Sequence, residues 1–246
     1  MGSAFAKGLR KNLKGACVIV ADKNKSKGDT RDNAEAVSGA SVVILAVKPQ
    51  DFDECLDGLR SVISKNCIVI SIAAGIKVSR IGRLLRHKFV CRVMPNLLAK
   101  INEGMSVWYA PKFNAGQKLI VKNILRAVGE EIEVKSDDYI DKASCISGCG
   151  PAYVWYFMEK MIGAGVKLGL SEAVSRKLTS QTFLGAAKMG TVVAARDGGI
   201  KTLRLAVTSK KGMTEQAIKI FEKKKMSAVF NAAVASAYKR AKELSK

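Results

Sequence analysis

Histidine is almost missing from this 246-residue chain: His87 is the only one. Zinc sites built on several histidines, facial iron triads and H-E-x-x-H proteases are therefore excluded. Acidic residues are also scarce, 21 against 42 lysines and arginines, leaving a formal net charge of +21. No run approaches the roughly 20 apolar residues of a membrane span. None of the six cysteines (Cys17, Cys55, Cys67, Cys91, Cys145, Cys149) belongs to a Cys-x-x-Cys. Most lie in apolar runs, where cysteine behaves as a small hydrophobe, so reduced thiols in a cytoplasmic protein are expected. Lys7, Arg10 and Lys11 arrive before any apolar stretch long enough for a secretory leader.

What is present is a globular composition, 48% hydrophobic and 6% aromatic, long enough for one large domain or two modest ones without disulfide staples. A pI near 9.9 raises nucleic-acid binding as an option. The basic residues are spread along the whole chain, however. The densest run, Lys223-Lys224-Lys225, lies in a helical pattern without interleaved aromatics. A solvated basic surface that attracts anionic substrates and cofactors is the expected reading.

The first half alternates. Phe5, Leu9 and Leu13 share a helical stripe, and then come short apolar runs at 17–21, 41–47, 67–72 and 89–93. Between them lie helix-like patterns such as Phe52, Cys55, Leu59 and Ile63. Short continuous apolar runs separated by helices predict parallel strands covered on both faces. Residues 105–109 and 131–134 are expected as edge strands. From about Ala143 the pattern becomes helical throughout, with helices expected at 149–170, 172–189, 214–224 and 227–244. This predicts an α/β domain over 1–143 and an all-α domain over 144–246. Alanine- and glycine-rich stretches such as Ala186-Ala187 and Ala232-Ala233 suit either an internal helical core or a subunit interface.

Three segments sit at expected strand ends, where doubly wound sheets bind ligands. They are Lys48-Pro49-Gln50, Ala73-Ala74-Gly75 and Arg92-Val93-Met94-Pro95-Asn96. Small residues let a flat ring approach the backbone, and the succession points to a nucleotide crevice. Ser147-Gly148-Cys149-Gly150-Pro151-Ala152-Tyr153 and Thr208-Ser209-Lys210-Lys211-Gly212-Met213-Thr214 each lead into a helix, where free backbone amides suit a carboxylate. Ser209 or Thr214 is a candidate cap for the second of these.

In order and separation, 46–50, 72–75, 92–96 and 147–153 resemble the characteristic segments of the pyrroline-5-carboxylate reductase family, across essentially the whole chain. The resemblance implies a Rossmann-like N-terminal domain followed by an all-α C-terminal dimerisation domain. It implies hydride transfer from NADPH (or NADH) to the C=N carbon of a cyclic imine acid, giving L-proline in the last step of proline synthesis. By the same resemblance Gly2, Asn33, Ala46, Lys48, Pro49, Ala73 and Ala74 line the cofactor. Ser209, Gly212 and Thr214 hold the substrate carboxylate, and Thr214 and Lys48 are the catalytic candidates, with the Thr214 hydroxyl near the imine nitrogen. No metal is implied, and the expected partners are the small-molecule substrate and a second copy of the chain, in a homodimer or larger oligomer. Neither a membrane nor a nucleic acid is expected. Lys23 and Lys25 are candidates for a 2′-phosphate, against Asp22 for a ribose diol. A related imine or keto-acid reductase is one competing reading. A catalytically inactive, dimeric basic binding protein is the other.

Three departures stand out. Met1-Gly2-Ser3-Ala4 matches only the tail of the family's glycine-rich fingerprint, so the first strand and two leading glycines are missing. An N-terminally incomplete sequence is expected, with neighbouring strands short of a partner. The substrate loop carries Lys210 and Lys211 where the family has Pro and Gly, and Met213 replaces a small residue. A left-handed Lys211 would be strained by about 1 kcal/mol or more. Finally, Cys149 stands in place of a serine, and Leu97-Leu98 in place of Thr-Pro.

Overall fold

The computed structural model describes residues 1–24, 26–193 and 199–245. Internal packing divides the chain into two compact units, 1–151 with 236–246, and 152–235.

The first unit opens with helix α1 (Gly2–Asn12), followed by α2 (Asn33–Val37), β1 (Val42–Leu45), α3 (Phe52–Asp57), β2 (Ile68–Ser71), α4 (Val78–Leu85) and β3 (Val90–Pro95). It continues through β4 (Gly104–Tyr109), α5 (Ala115–Arg126), β5 (Gly129–Glu133) and α6 (Asp137–Ser147). Among the described residues the strands form one sheet in the order β1-β2-β3-β4-β5. The pairs β1–β2 and β2–β3 are parallel, as the alternation of apolar runs and helices predicts.

Successive residues of β2 enter opposite cores, because strand side chains alternate with a period of two. Ile68 and Ile70 join Phe5 and Leu9 of α1 and Val121 and Leu125 of α5. Cys67 and Val69 join Phe52 and Leu56 of α3 and Ile81 and Leu85 of α4. That double burial is why β2 reads as a continuous apolar run rather than an alternating one.

Two expectations about the sheet need correction. The segment 105–109 is not an edge strand: β4 lies between β3 and β5, antiparallel to β3. Of the two expected edge strands, β5 alone takes an edge. The run at 17–21 forms no ladder either, its one bridge being Ala21 to Thr30. Part of its backbone is satisfied locally: Arg10 donates to the Val18 carbonyl, and Asp29 both accepts from and donates to Val20. A strand needs a neighbour offering a complementary edge, and no described strand flanks β1 on its outer side. Val42 and Ile44 accordingly stay only partly buried.

The change of pattern near residue 143 falls within α6, which packs on β3 and β4. Helix α7 (Gly150–Lys167) starts the second unit, followed by α8 (Glu172–Val193), α9 (Gly199–Ala206), α10 (Met213–Lys223) and α11 (Met226–Leu244). The last turns of α11 return to the first unit. Helix α9 is an addition to the helices expected from sequence.

Candidate active site

The loops after β1 and β2 leave the same end of the parallel sheet. Pro49 cannot donate to a ladder, and it holds Lys48 extended (φ −70°, ψ 152°) before a short 3₁₀ turn, Pro49–Asp51. Lys48 and Ala46 are exposed there. After β2, the Ala73 amide donates to the Ser71 hydroxyl (3.3 Å), with Ala73 buried and Ala74 exposed. Gly75 is left-handed (φ +74°), and a Cβ on it would stand 2.6 Å from the Leu244 carbonyl oxygen, so no other residue fits.

Helix α1 begins against the first of these loops. A Cβ on Gly2 would meet the Ala46 Cβ at 2.9 Å. No side chain caps α1, and its first turn holds no acid. The Ala4 amide donates to the Met1 carbonyl (2.9 Å), while the Gly2 and Ser3 amides and the positive end of the helix dipole are left open beside Ala46, an arrangement that accepts a pyrophosphate.

Asn33 opens α2, behind an Asp32 cap that accepts from the Ala34 and Glu35 amides. Its side-chain amide contacts the Cys55 thiol (3.9 Å) across an open recess of about 460 Å³ lined also by Arg31, Glu54 and Gly58. Burial pushes the Cys55 thiol up, against the pull of Lys23. Lys23 pairs with Glu54 at 3.9 Å, and Asp22 accepts from the Asn24 amide at 2.8 Å. Lys25 lies outside the described residues.

The third expected crevice segment, 92–96, has a different job. Arg92 is buried (2% exposed) under α6. It donates to the Asp137 carboxylate (3.0 Å) and the Asp141 carboxylate (2.6 Å), and Asp141 also accepts from the Ser245 hydroxyl (3.1 Å). Asn96 donates to the Ser147 carbonyl and accepts from the Leu98 and Met105 amides. Because β4 returns antiparallel and α6 covers β3, the end of this strand is enclosed. An arginine inside an apolar strand with Asp137 and Asp141 four apart on a helix was the available signal for this ion-pair network. The glycine-rich turn at 148–149 is also consumed locally, since the Cys149 amide donates to the Ser144 carbonyl (2.9 Å).

In the second unit, Ser209, Gly212 and Thr214 are brought together in one turn. The Gly212 amide donates to the Ser209 carbonyl (3.0 Å), and Lys211 takes the left-handed conformation, φ +63°. The Lys211 amide donates to the Glu215 carboxylate at 2.9 Å. Lys219 and then that amide hold the Glu215 carboxyl below its ordinary range. The expected side-chain cap is absent: Gly212 is the N-cap of α10, and Thr214 already lies inside the helix. A turn this tight leaves the N-cap to a residue without a side chain, so the Ser209 and Thr214 hydroxyls stay exposed and without a partner among the described residues.

The helices of this unit bury almost nothing apolar. Among the described residues of 152–235 no apolar side chain is buried, whereas Trp155, Leu178, Leu184, Ile220 and Phe221 are each 44% or more exposed. Apolar surface on that scale marks an interface.

Two family models match separate parts of the chain. Residues 1–75 match a family model described as NADP oxidoreductase, coenzyme F420-dependent. With the crevice and the sheet, this makes the chain an NADP-linked oxidoreductase of the Rossmann class. Residues 137–244 match the model for pyrroline-5-carboxylate reductase dimerisation. The chain is 36% identical to the pyrroline-5-carboxylate reductase of Vibrio alginolyticus over 219 residues, 88% of this chain and 80% of that one. A solved pyrroline-5-carboxylate reductase from Coxiella burnetii superposes with a TM-score of 0.91 at 34% identity, covering 100% of this chain and 95% of the other. The Plasmodium falciparum enzyme, solved with NADP bound, gives 0.86 at 29% identity, covering 100% and 95%. The chain belongs to the pyrroline-5-carboxylate reductase family.

Proposed function

We propose that this chain reduces 1-pyrroline-5-carboxylate to L-proline with NADPH. The observation that carries this reading is likeness in fold to a solved pyrroline-5-carboxylate reductase over 100% of this chain, at 34% identity. Bound NADPH supplies the hydride, which goes to the C=N carbon. The residues present fit that cofactor: the open first turn of α1 beside Ala46 takes the pyrophosphate, and Asn33 takes the adenosine end. Ala74, exposed, offers a flat, small surface to the nicotinamide ring, with Ala73 buried behind it. Lys48, exposed where Pro49 ends the strand, adds positive charge at the crevice mouth and draws in the anionic cofactor.

The substrate carboxylate is held by the Ser209 hydroxyl, the Gly212 turn and the first amides of α10. The Thr214 hydroxyl hydrogen-bonds the imine nitrogen. Little acid–base machinery is needed, because an imine bound already protonated requires only positioning and the exclusion of water. A chain with one histidine is adequate for that. In this reading residues 1–143 serve the cofactor, and 144–246 serve the substrate and homodimer formation through the exposed helical faces. The protein works in the cytoplasm.

The test is NADPH oxidation by the purified chain with pyrroline-5-carboxylate, with proline identified as product. Thr214→Val should lower kcat/KM about tenfold or more, the loss expected for one hydrogen bond to a charged group. A folded oligomer that binds NADPH yet turns over no imine acid would overturn the proposal.

A further inference from the structure

A second cavity of the first unit runs along α4 from Val78 and Ser79, just after the second of the cofactor loops. It is a groove of about 380 Å³ beside the amino end of β3, whereas those loops follow the carboxyl ends of β1 and β2. Its floor is Val90 and Tyr109, the first residue of β3 and the last of β4, and one wall is the α4 face carrying Gly82 and Arg83. Lys88 and Lys112 line the rim, and His87 faces the same space. The cations are uncommitted: Arg83, Lys88 and Lys112 take part in no ion pair among the described residues, although the Lys88 ammonium rests over the Phe89 ring.

The acid inventory is short. Asp137 is the one carboxylate lining the groove, and it is already neutralised by Arg92 and by the Val78 amide. Three free cations therefore face a single compensated anion. His87 is held through Nε2 by the Cys67 carbonyl (2.6 Å), which leaves Nδ1 for the groove. Tyr109 contributes a phenol without a partner among the described residues, and Pro111 a flat apolar edge.

We propose that this groove binds a small phosphate-bearing metabolite, its dianion on Arg83, Lys88 and Lys112 and its body against Tyr109 and Pro111. The volume exceeds what a bare phosphate fills and lies in the range of small-ligand pockets. Guanidinium and ammonium groups of this kind recognise phosphate oxygens by charge-assisted hydrogen bonds.

The only histidine of the chain lines the groove, so its ring-proton NMR signals report the site without assignment. The full-length protein is titrated at constant pH and ionic strength with inorganic phosphate, ribose 5-phosphate and AMP, with chloride as control. A saturable shift of the His87 signals is expected. It should weaken about tenfold or more in Arg83→Ser/Lys112→Ser while NADPH affinity stays unchanged. Both substituted residues are exposed, so the variant keeps its fold. Saturation by phosphate alone identifies a free anion, and tighter binding of the sugar phosphate or AMP identifies a phosphorylated metabolite. A linear drift matching chloride, an equal response in the variant, or a response to duplex DNA alone would overturn the proposal.

Discussion

Replacing Arg92 by leucine should expose how the buried ion pairs work. In the native chain its guanidinium, 2% exposed, serves Asp137 at 3.0 Å and Asp141 at 2.6 Å. Without it, Asp141 keeps one neutral donor, the Ser245 hydroxyl, and a second carboxylate stands in the same site. A buried charge stripped of its partner costs about 3–5 kcal/mol, so Arg92→Leu should lose that much. Asp141→Leu leaves Arg92 paired with Asp137, and it should cost about 1.5–3 kcal/mol, the value of a hydrogen bond to a charged group. The double variant removes both charges and restores apolar packing, so its loss should be smaller than that of Arg92→Leu alone. Urea unfolding followed by Trp108 fluorescence, with Trp155 replaced by phenylalanine, reads this unit, because Trp108 is fully buried and bonded to Glu131. Single variants costing below about 1 kcal/mol, or strictly additive losses in the double, would refute the reasoning.

Three further outcomes are expected. Lys211→Gly relieves a left-handed lysine at about 1–2 kcal/mol and adds about 0.5–1 kcal/mol of chain entropy cost. Urea or thermal unfolding should show a net gain of about 0.5–1 kcal/mol, and a loss would mean that the Lys211 side chain is engaged. Glu215 titrates below its unfolded value of about 4.3, so its contribution is complete above that pH and fades as pH falls through the lower folded value. Carboxyl-carbon NMR should show Lys219→Met moving that titration upward. Burial pushes the Cys67 thiol up to about 11, so roughly one in a thousand is thiolate at pH 8. Iodoacetamide followed by mass spectrometry should label exposed Cys17 well before Cys67.

The parallel core was legible in the sequence because β2 and its neighbours are buried on both faces and read as unbroken apolar runs. The place of β4 was not, since strand order and direction are set by pairing rather than by local composition. The run at 17–21 has the right residues for a strand and still forms none, because a ladder requires a partner. At the candidate site, Lys48-Pro49 and Ala73-Ala74-Gly75 were readable from strand-end logic. Arg92 and Asn96 fit the same logic, yet they are enclosed by α6 and by the return of β4. The strain at Lys211 was foreseeable because the conformation belongs to the turn and not to the residue occupying it.

The last turns of α11 have a consequence for the order in which the molecule matures. Residues 236–245 close the first unit: Leu244 abuts Gly75, Tyr238 donates to Asp138, and Ser245 bonds Asp141. Domains usually fold as they leave the ribosome, amino-terminal ones first. Here the amino-terminal unit cannot finish until residues 236–245 have been made, so the site beside Gly75 is completed only after the whole second unit has been translated.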